Sequence, residues 1–202
     1  FGPTRLRRAL ALSLNLVSVR LLRATGPAYT ADYMARFGFD PRTLPRNLSL
    51  ALGTGSATPM QMVRAFAVYA NGGYAVEPYF INRVEDARGK VLEQANPPIA
   101  CLECGNLEPR AVPPAQAAAA PAPVAAPRVL SPEINFLMTS MMQDVIREGT
   151  GSAAKVLGRR DLAGKTGTTN EYRDAWFSGF NSDLVTTAWI GFDQPASLGR
   201  GE

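Results

Sequence analysis

The amino-acid sequence predicts an α+β protein, or a three-layer one, in which helices pack on an antiparallel sheet. Apolar residues recur at helical spacing over much of the first 150 residues, and β-rich segments joined by turn residues follow them. With 202 residues, of which 46% are apolar and 19% charged, the chain can bury a substantial core. No apolar run approaches the roughly 18 residues that a membrane-spanning helix needs, so none is predicted.

The first half of the chain predicts helices. Thr58 before Pro59 supplies an N-cap followed by proline at the first helical position, and Gly38 is placed to end an earlier helix. A short polar interruption, Ser13-Leu14-Asn15, separates the first two helices. The four helices are predicted at residues 4–12, 16–24, 29–37 and 59–70.

Strands are predicted in two places. Residues 79–84 and 90–93 flank turn residues and predict a small hairpin. A helix then starts after Ser131, with Pro132 at its first position, and runs to about residue 147. The main sheet is expected after it, as an antiparallel meander of strands at residues 162–168, 175–180 and 184–192.

The middle of the chain has a different composition. Nine of the sixteen prolines fall between Pro97 and Pro132, and residues 111–126 hold nine alanines. Such a Pro/Ala-rich stretch cannot bury enough surface to fold. Residues 96–128 are therefore predicted to form a flexible, exposed insert.

Charge and the missing histidine exclude several classes of function. Twenty-one basic and seventeen acidic residues leave a net charge of +4, too mild to argue for nucleic acid, although residues 1–50 hold eight arginines and two acids. The chain has no histidine, which removes Ser-His-Asp and Cys-His arrangements and most zinc sites. We expect no metal and no cofactor, and proton chemistry must use Lys, Ser, Tyr, Asp or Glu.

The two cysteines, Cys101 and Cys104, are too few for a metal site, because a tetrahedral site of this type needs four ligands. A local disulfide in an oxidising compartment is favoured, and a reduced pair stays open as the alternative. No strand-to-helix context surrounds the pair, which argues against a thioredoxin-like role.

The most informative stretch is Ala-Gly-Lys-Thr-Gly-Thr-Thr at residues 163–169, on a predicted strand. A strand edge offers unpaired backbone groups to an extended peptide, and Gly167 leaves room for its close approach. Thr166 and Thr168 offer hydroxyls to a carboxylate, beside the positive charge of Lys165. The alternatives are a solvated strand of ordinary β-formers and a phosphate-binding P-loop. The P-loop is rejected because its earlier glycine is out of register and no helix follows.

A second motif, Ser13-x-Asn15, lies between two predicted helices. A short loop at such a place can present a hydroxyl and an amide into a cleft. The alternative is that Ser13 merely caps the next helical turn.

Taken together, Ser-x-Asn and a Lys-Thr-Gly-Thr about 150 residues later follow the order found in penicillin-recognising serine enzymes. With its flanking sequences the chain closely resembles the transpeptidase domain of class A penicillin-binding proteins, nearest to the 1A type of Gram-negative bacteria. The stretches that carry the resemblance are residues 13–20, 51–54, 58–59, 70–74, 129–132, 149–151, 161–170, 174–177 and 189–193.

The resemblance implies a three-layer αβα arrangement, a helical subdomain plus an antiparallel sheet, of the serine β-lactamase and D,D-peptidase type. Residues 1–202 would be a partial transpeptidase domain, truncated at its N-terminal side, that contains the Pro/Ala-rich insert. The implied function is peptidoglycan cross-linking by acyl transfer from D-Ala-D-Ala stem peptides. The implied partners are stem peptides on lipid II-derived glycan strands, with β-lactams as inhibitors and no nucleic acid.

The resemblance also assigns roles to residues. Ser13 would relay a proton to the leaving amine, Asn15 would hold a substrate amide, and Lys165 would tune Ser13 and attract the substrate carboxylate. The backbone N–H of Thr168 would be one of two oxyanion-hole donors. The implied catalytic residues are thus Ser13, Asn15 and Lys165, and the implied substrate-binding residues are Thr166, Gly167 and Thr168.

One element of the family is missing from its expected position. The family's nucleophile lies in a Ser-x-x-Lys motif upstream of Ser-x-Asn, whereas the only such letters here, Ser152 to Lys155, come after it. Those letters are expected to open a short surface helix. The nucleophile is therefore expected before Phe1, and the chain is interpreted as an internal piece that does not acylate alone. A membrane anchor and a glycosyltransferase domain are expected upstream, with the protein on the periplasmic face of the inner membrane.

Other functions remain open from the sequence. A D,D-carboxypeptidase or a β-lactamase would use similar motifs, and a non-catalytic module could bind β-lactams or peptidoglycan without turnover. The Pro/Ala-rich insert could also dock a partner, although a plain spacer is favoured.

Overall fold

The computed structural model describes residues 2–101 and 124–199 of the chain. Its α-helices are α1 (Leu6–Ala11), α2 (Asn15–Thr25), α3 (Pro27–Met34), α4 (Pro59–Ala70) and α5 (Pro132–Glu148). Its strands are β1 (Arg83–Glu85), β2 (Val91–Gln94), β3 (Ala163–Thr168), β4 (Asp174–Phe180) and β5 (Val185–Gly191). Short 3-10 helices lie at Ala35–Phe37, Leu48–Leu52, Ser152–Leu157 and Asn170–Tyr172. Within the described ranges, no helix is both long and apolar enough to cross a bilayer.

The main sheet is an antiparallel meander in the order β3-β4-β5. Lys165 of β3 lies opposite Ser178 of β4, and Asp174 of β4 lies opposite Gly191 of β5. β3 is therefore an edge strand, and no other described strand pairs with its outer edge. β1 and β2 form a separate two-stranded hairpin.

Helices α4 and α5 cover one face of this sheet, where they contact β4 with β5 and β3, respectively. Between them lies a core cluster of Met142 from α5, Ala163 from β3 and Phe180 from β4, each at most 4% exposed. Aromatic side chains of α4 surround the cluster: the Tyr69 ring stacks on Phe180 at 6.3 Å between centroids, and Phe66 lies 6.4 Å from it. This packing of helices on an antiparallel sheet is the α+β architecture that the sequence predicts.

Helix α1 is fixed against α5 by Arg7. Its guanidinium donates to Asp144 Oδ2 at 2.5 Å and to the Ser140 carbonyl at 3.1 Å. The small buried side chains of Ala9 and Ala11 let α1 lie close to its neighbours. The loop that follows α1 is thereby held near β3.

The predicted boundaries of the sheet strands and of most helices agree with the structure to within two residues. At α4, Thr58 and Gln61 form a reciprocal capping box, with Pro59 as the first helical residue. The third helix turns 3-10 at residues 35–37 before Gly38 ends it. Only the hairpin differs more: residues 79–82 lie outside β1. In the register of β1 and β2, Pro97 would lie opposite Phe80, and a proline nitrogen cannot donate to a ladder, so regular pairing cannot extend that far.

The two ends of the predicted insert are joined. Ile99 N donates to Val124 O at 2.9 Å, and Ala126 N donates to Ile99 O at 2.8 Å. Cys101 is disulfide-bonded, and Cys104 lies outside the described residues. The flexibility predicted for residues 96–128 stays a prediction, and residues 102–123 of that insert lie outside the described residues.

Candidate active site

Ser13 lies in the tight loop between α1 and α2. Two backbone hydrogen bonds close the loop, from Leu14 N to Ala9 O at 2.9 Å and from Ser13 N to Leu10 O at 3.2 Å. Ser13 has a φ of 52°, in the left-handed region that residues other than glycine rarely adopt. The N-cap of α2 is Leu14, without a side-chain hydrogen bond, so Ser13 does not cap the helix. Its hydroxyl is instead presented to the cleft beside β3.

Lys165 meets Ser13 across 152 residues of sequence. The Lys165 ammonium donates to Ser13 Oγ at 2.9 Å and to the carbonyl oxygen of its neighbour Thr166 at 2.9 Å. Partial burial disfavours the charged form, which lowers the pKa of Lys165 below the ordinary value of a lysine. The structure thus brings together a hydroxyl and a partly desolvated amine, the two groups from which a proton relay can be built without histidine.

The outer edge of β3 presents backbone donors. Thr169 N donates inward, to Asp174 O of β4 at 3.1 Å. Successive residues of a strand direct their N–H groups to opposite edges, so the N–H groups of Thr166 and Thr168 point outward. A Cβ on Gly167 would lie 3.3 Å from the Trp176 Cβ, so the glycine also keeps β3 close to β4. This edge can receive an extended peptide or an oxyanion.

The turn after β3 is held by the Asp174 carboxylate. Trp189 Nε1 donates to Asp174 Oδ1 at 2.9 Å, and Thr169 Oγ1 donates to Asp174 Oδ2 at 3.3 Å. Glu171 and Tyr172 in this turn both have positive φ. These contacts fix the direction in which β3 ends, and with it the position of the outward N–H groups.

Asn15 is the first residue of α2 and is exposed. In the part of the chain that the structure describes, its side-chain amide makes no hydrogen bond. It lies two residues after Ser13 on the same turn of chain. An exposed amide in this position can bind a peptide group of a ligand.

Thr150, to which no sequence pattern assigns a role, contacts both the segment that leads to Ser13 and strand β3. Its Oγ1 lies 2.5 Å from Thr166 Oγ1, and its backbone N–H donates to Ala11 O at 3.1 Å. The only sequence signal was the stretch Gly149-Thr150-Gly151 within the family resemblance, and a glycine-flanked threonine carries no chemistry by itself.

The pair Ser152 and Lys155 lies apart from this arrangement. Both belong to the 3-10 helix Ser152–Leu157, and both are exposed. Among the described residues, neither side chain takes part in a hydrogen bond or ion pair, and neither lines the cavity beside Lys165. The short helix predicted at these letters is confirmed.

A cavity of about 730 Å³ opens beside the Lys165–Thr169 side of β3. Apart from this polar strip it is mainly apolar. Its lining includes Leu10, Phe37, Leu44, Phe66, Met138 and Trp176. The cavity is large enough for a peptide segment or a small ligand to reach Lys165.

Within the described ranges, no group of three or more acidic or cysteine side chains is arranged to hold a metal ion. The polar strip of the cavity consists of the threonine hydroxyls of β3, the Lys165 amine and outward backbone N–H groups. Ser13 meets this strip through Lys165, whereas Asn15 does not line the cavity. Such a set can bind a carboxylate, stabilise an oxyanion and transfer protons, which are the requirements of acyl transfer.

Comparison with known proteins gives a consistent result. The penicillin binding protein transpeptidase domain family matches residues 2–194. Penicillin-binding protein 1A of Pseudomonas aeruginosa is 48% identical over an alignment 225 residues long, gaps included, which covers 100% of this chain and 27% of that protein. Penicillin-binding protein 1A of Neisseria lactamica is 45% identical, over 98% of this chain and 22% of that protein. The chain thus spans about a quarter of the length of the curated relatives it matches.

A solved structure shows the same fold. The crystal structure of penicillin-binding protein 1A from Haemophilus influenzae superimposes with a TM-score of 0.87 at 40% identity, covering 100% of this chain and 32% of that one. The penicillin V complex of PonA1 from Mycobacterium tuberculosis superimposes with a TM-score of 0.71 at 24% identity, over 97% and 50% of the two chains. The fold class and the family resemblance expected from the sequence are confirmed, and the chain belongs to the penicillin-binding protein transpeptidase domain family.

Proposed function

We propose that this chain supplies the substrate-binding and proton-relay side of a D,D-transpeptidase site that cross-links peptidoglycan. The observation that carries the proposal is the 2.9 Å contact between the Lys165 ammonium and Ser13 Oγ. It joins, in one cleft, the two motifs that the sequence places 152 residues apart. Membership of the family supports the reaction class.

The proposed substrate is a stem peptide that ends in D-Ala-D-Ala. Its terminal carboxylate would accept hydrogen bonds from the Thr166 and Thr168 hydroxyls, close to the charge of Lys165. The outward N–H of Thr168 would donate to the carbonyl oxygen under attack. An oxyanion-hole donor of this kind contributes about 3 kcal/mol to transition-state stabilisation. Asn15, exposed at the start of α2, would hold an amide of the same peptide.

The reaction balances as two acyl transfers. A serine Oγ attacks the carbonyl of the penultimate D-Ala and gives up its proton; the C–N bond breaks, and the terminal D-Ala leaves after its nitrogen takes that proton through Ser13. An amine of a second stem peptide then attacks the ester and forms the cross-link amide, the ester C–O bond breaks, and the proton that the amine loses passes to the serine oxygen. Lys165, in contact with Ser13, favours the passage of the proton in both directions.

We propose that the attacking serine belongs to a Ser-x-x-Lys motif N-terminal to Phe1. The 730 Å³ cavity supports this placement, because it lies beside Lys165 and its mainly apolar walls suit a helical segment. Ser152 is not the proposed nucleophile, because it lies on a separate 3-10 helix and does not line the cavity.

The proposal extends to the partners and the compartment. The partners are stem peptides on glycan strands derived from lipid II, with β-lactams as inhibitors; the penicillin V complex of the mycobacterial relative supports the latter. The site would face the periplasm at the inner membrane, in a protein with a membrane anchor and a glycosyltransferase domain outside this chain. The disulfide at Cys101 accords with an oxidising compartment.

The test labels the full-length protein that contains this chain with a fluorescent penicillin and maps the adduct by mass spectrometry. We expect one adduct, on a serine N-terminal to Phe1, and strongly reduced labelling in Lys165→Ala. An adduct on Ser152 would overturn the assignment of the nucleophile. If a protein shown to be folded forms no adduct, the proposed enzymatic activity is wrong, and the chain is part of a non-catalytic binding module.

The reaction products then separate the activities within the superfamily. With a purified stem-peptide substrate and acceptor, we expect a cross-linked dimer. Free D-Ala without a dimer would show a carboxypeptidase instead, and turnover of penicillin to the opened lactam would show a β-lactamase.

A further inference from the structure

The loop Gly149–Gly151 joins the two halves of the site, which are the segment that presents Ser13 and strand β3 with Lys165. It connects α5 to the 3-10 helix Ser152–Leu157 and lies between the end of α1 and strand β3. Gly149 approaches the Ala11 carbonyl so closely that a Cβ there would lie 2.2 Å from its oxygen. The next residue, Thr150, donates its backbone N–H to the same Ala11 oxygen at 3.1 Å. Ala11 is two residues before Ser13, so the loop is anchored to the segment that presents Ser13.

The side chain of Thr150 faces strand β3, the other half of the site. Its Oγ1 lies 2.5 Å from Oγ1 of Thr166, at the short end of the range for hydroxyl–hydroxyl hydrogen bonds. Thr166 follows Lys165 directly on β3, and its carbonyl oxygen accepts from the Lys165 ammonium. Thr150 is therefore a single residue that contacts both the Ser13 segment and the Lys165 segment.

The direction of the hydroxyl–hydroxyl bond has a chemical consequence. Each threonine hydroxyl carries one proton and can donate one hydrogen bond. If Thr166 donates to Thr150, no proton remains on Thr166 for a substrate carboxylate. If Thr150 donates, the Thr166 proton is available, and the chain of two hydroxyls strengthens the second bond by polarisation. Only the second arrangement is compatible with carboxylate binding by Thr166.

We propose that Thr150 is a positioning residue that donates its hydroxyl proton to Thr166, and thereby directs the Thr166 hydroxyl to the terminal carboxylate of the acyl donor. The inference rests on the proposed function. Thr150 acts through Thr166 and not on the reacting carbonyl. Its effect is therefore specific to acyl donors that carry a free carboxylate.

The experiment compares two acyl donors on the full-length protein, benzylpenicillin and its methyl ester, which lacks the carboxylate. Thr150→Val removes the hydroxyl at nearly constant volume, and Thr150→Ser keeps it. For Thr150→Val we expect the second-order acylation rate to fall about 5- to 30-fold with benzylpenicillin and less than twofold with the ester, because the Thr166 hydroxyl is then no longer directed to make its hydrogen bond to the charged carboxylate. Thr150→Ser should stay within about threefold of the parent protein with both donors.

Thr166→Val provides the second arm. Its acylation rate should also fall more with benzylpenicillin than with the ester. Adding Thr150→Val to Thr166→Val should lower the rate by less than about twofold more, because both changes act through one hydroxyl. Equal losses with the acid and the ester, or an undiminished rate, would overturn the positioning role. If Thr150→Val does not fold, Thr150→Ser and Thr166→Val test the role. A lower acylation rate of Thr150→Ser with benzylpenicillin but not with the ester would contradict it, and so would equal falls in the rate of Thr166→Val with the two donors. Failure of the parent protein to be acylated by either donor would instead refute the proposed function itself.

Discussion

The two ends of strand β3 differ in what surrounds them. Its first residues, Ala163 and Gly164, are buried, and Ala163 belongs to the core cluster with Phe180 and Met142. Its later residues, from Lys165 to Thr168, run from half-buried to exposed along the free edge. At a rise of roughly 3.4 Å per residue the two environments are separated by only a few ångströms. The buried end fixes the strand, and the exposed end presents the polar groups, so changes at the two ends should affect stability and acylation separately.

The buried end should control stability. Phe180 is 4% exposed and packs on Tyr69 and Phe66, so Phe180→Ala should lower the free energy of unfolding by about 3–5 kcal/mol. Phe180→Leu, which keeps most of the apolar volume, should cost less than half as much. Urea unfolding of the domain measures both. The acylation rate per folded molecule should stay within about threefold of the parent, and its collapse in a folded Phe180→Leu protein would show that the two ends are not separable.

The exposed end should control acylation. Lys165→Ala should reduce the rate of penicillin acylation by about 100- to 1000-fold, since it removes both a proton-relay partner and a charge near the carboxylate. Stability should be unchanged or slightly higher at neutral pH, because burial disfavours the charged ammonium. Stopped-flow labelling and thermal unfolding test the two halves of this prediction. Lys165→Arg is the matched control that keeps the charge but loses the compact ammonium, and a large loss of stability in Lys165→Ala would contradict the separation.

The loop between the two halves should affect both properties. In Gly149→Ala the new Cβ would lie 2.2 Å from the Ala11 carbonyl oxygen, a backbone atom that cannot move aside easily. We expect a stability loss of about 1–3 kcal/mol together with slower acylation. Gly158→Ala is the control: its φ is +65° but a Cβ there meets nothing within 4 Å, so it should cost about 1 kcal/mol and leave acylation unchanged. Equal behaviour of the two variants would show that the contact with Ala11 is unimportant.

The smallest expected effect is on the pH profile. Burial lowers the pKa of Lys165, so its charge should be lost at a lower pH than that of a free lysine. Acylation that depends on this charge should decline as the pH rises through the lowered pKa. In the same range the unfolded chain binds more protons than the folded one, so the contribution of Lys165 to stability should rise with pH. Acylation rates across the alkaline range measure this decline. The rate of Lys165→Arg should not decline with pH in that range, because arginine stays charged there.

Much of this arrangement could be predicted from local sequence signals. Thr58 and Pro59 locate the start of α4, and Ser131 with Pro132 locates that of α5, because capping and proline geometry depend on neighbouring residues only. The strand meander also followed from local patterns. The end of the hairpin strand did not, because it depends on which residues lie opposite.

In the site, too, the features set by neighbouring residues could be predicted, and those set by distant contacts could not. Ser13 and Lys165 could be singled out by motif and resemblance, but their contact depends on the packing of α1 on α5 through Arg7 and Asp144. Thr150 could not be singled out, because its importance comes only from its distance to Thr166 and Ala11. Contacts between residues far apart in the chain leave no local signal.

A double-mutant cycle tests whether Ser13 and Lys165 act as one relay. The acylation rate of the full-length protein would be measured for Ser13→Ala, Lys165→Ala and the double variant, with folding confirmed for each. We predict that the double variant is within about threefold of the slower single variant, because either change interrupts the same relay. Independent effects, in which the two single losses multiply, would show that Ser13 and Lys165 do not act as one relay.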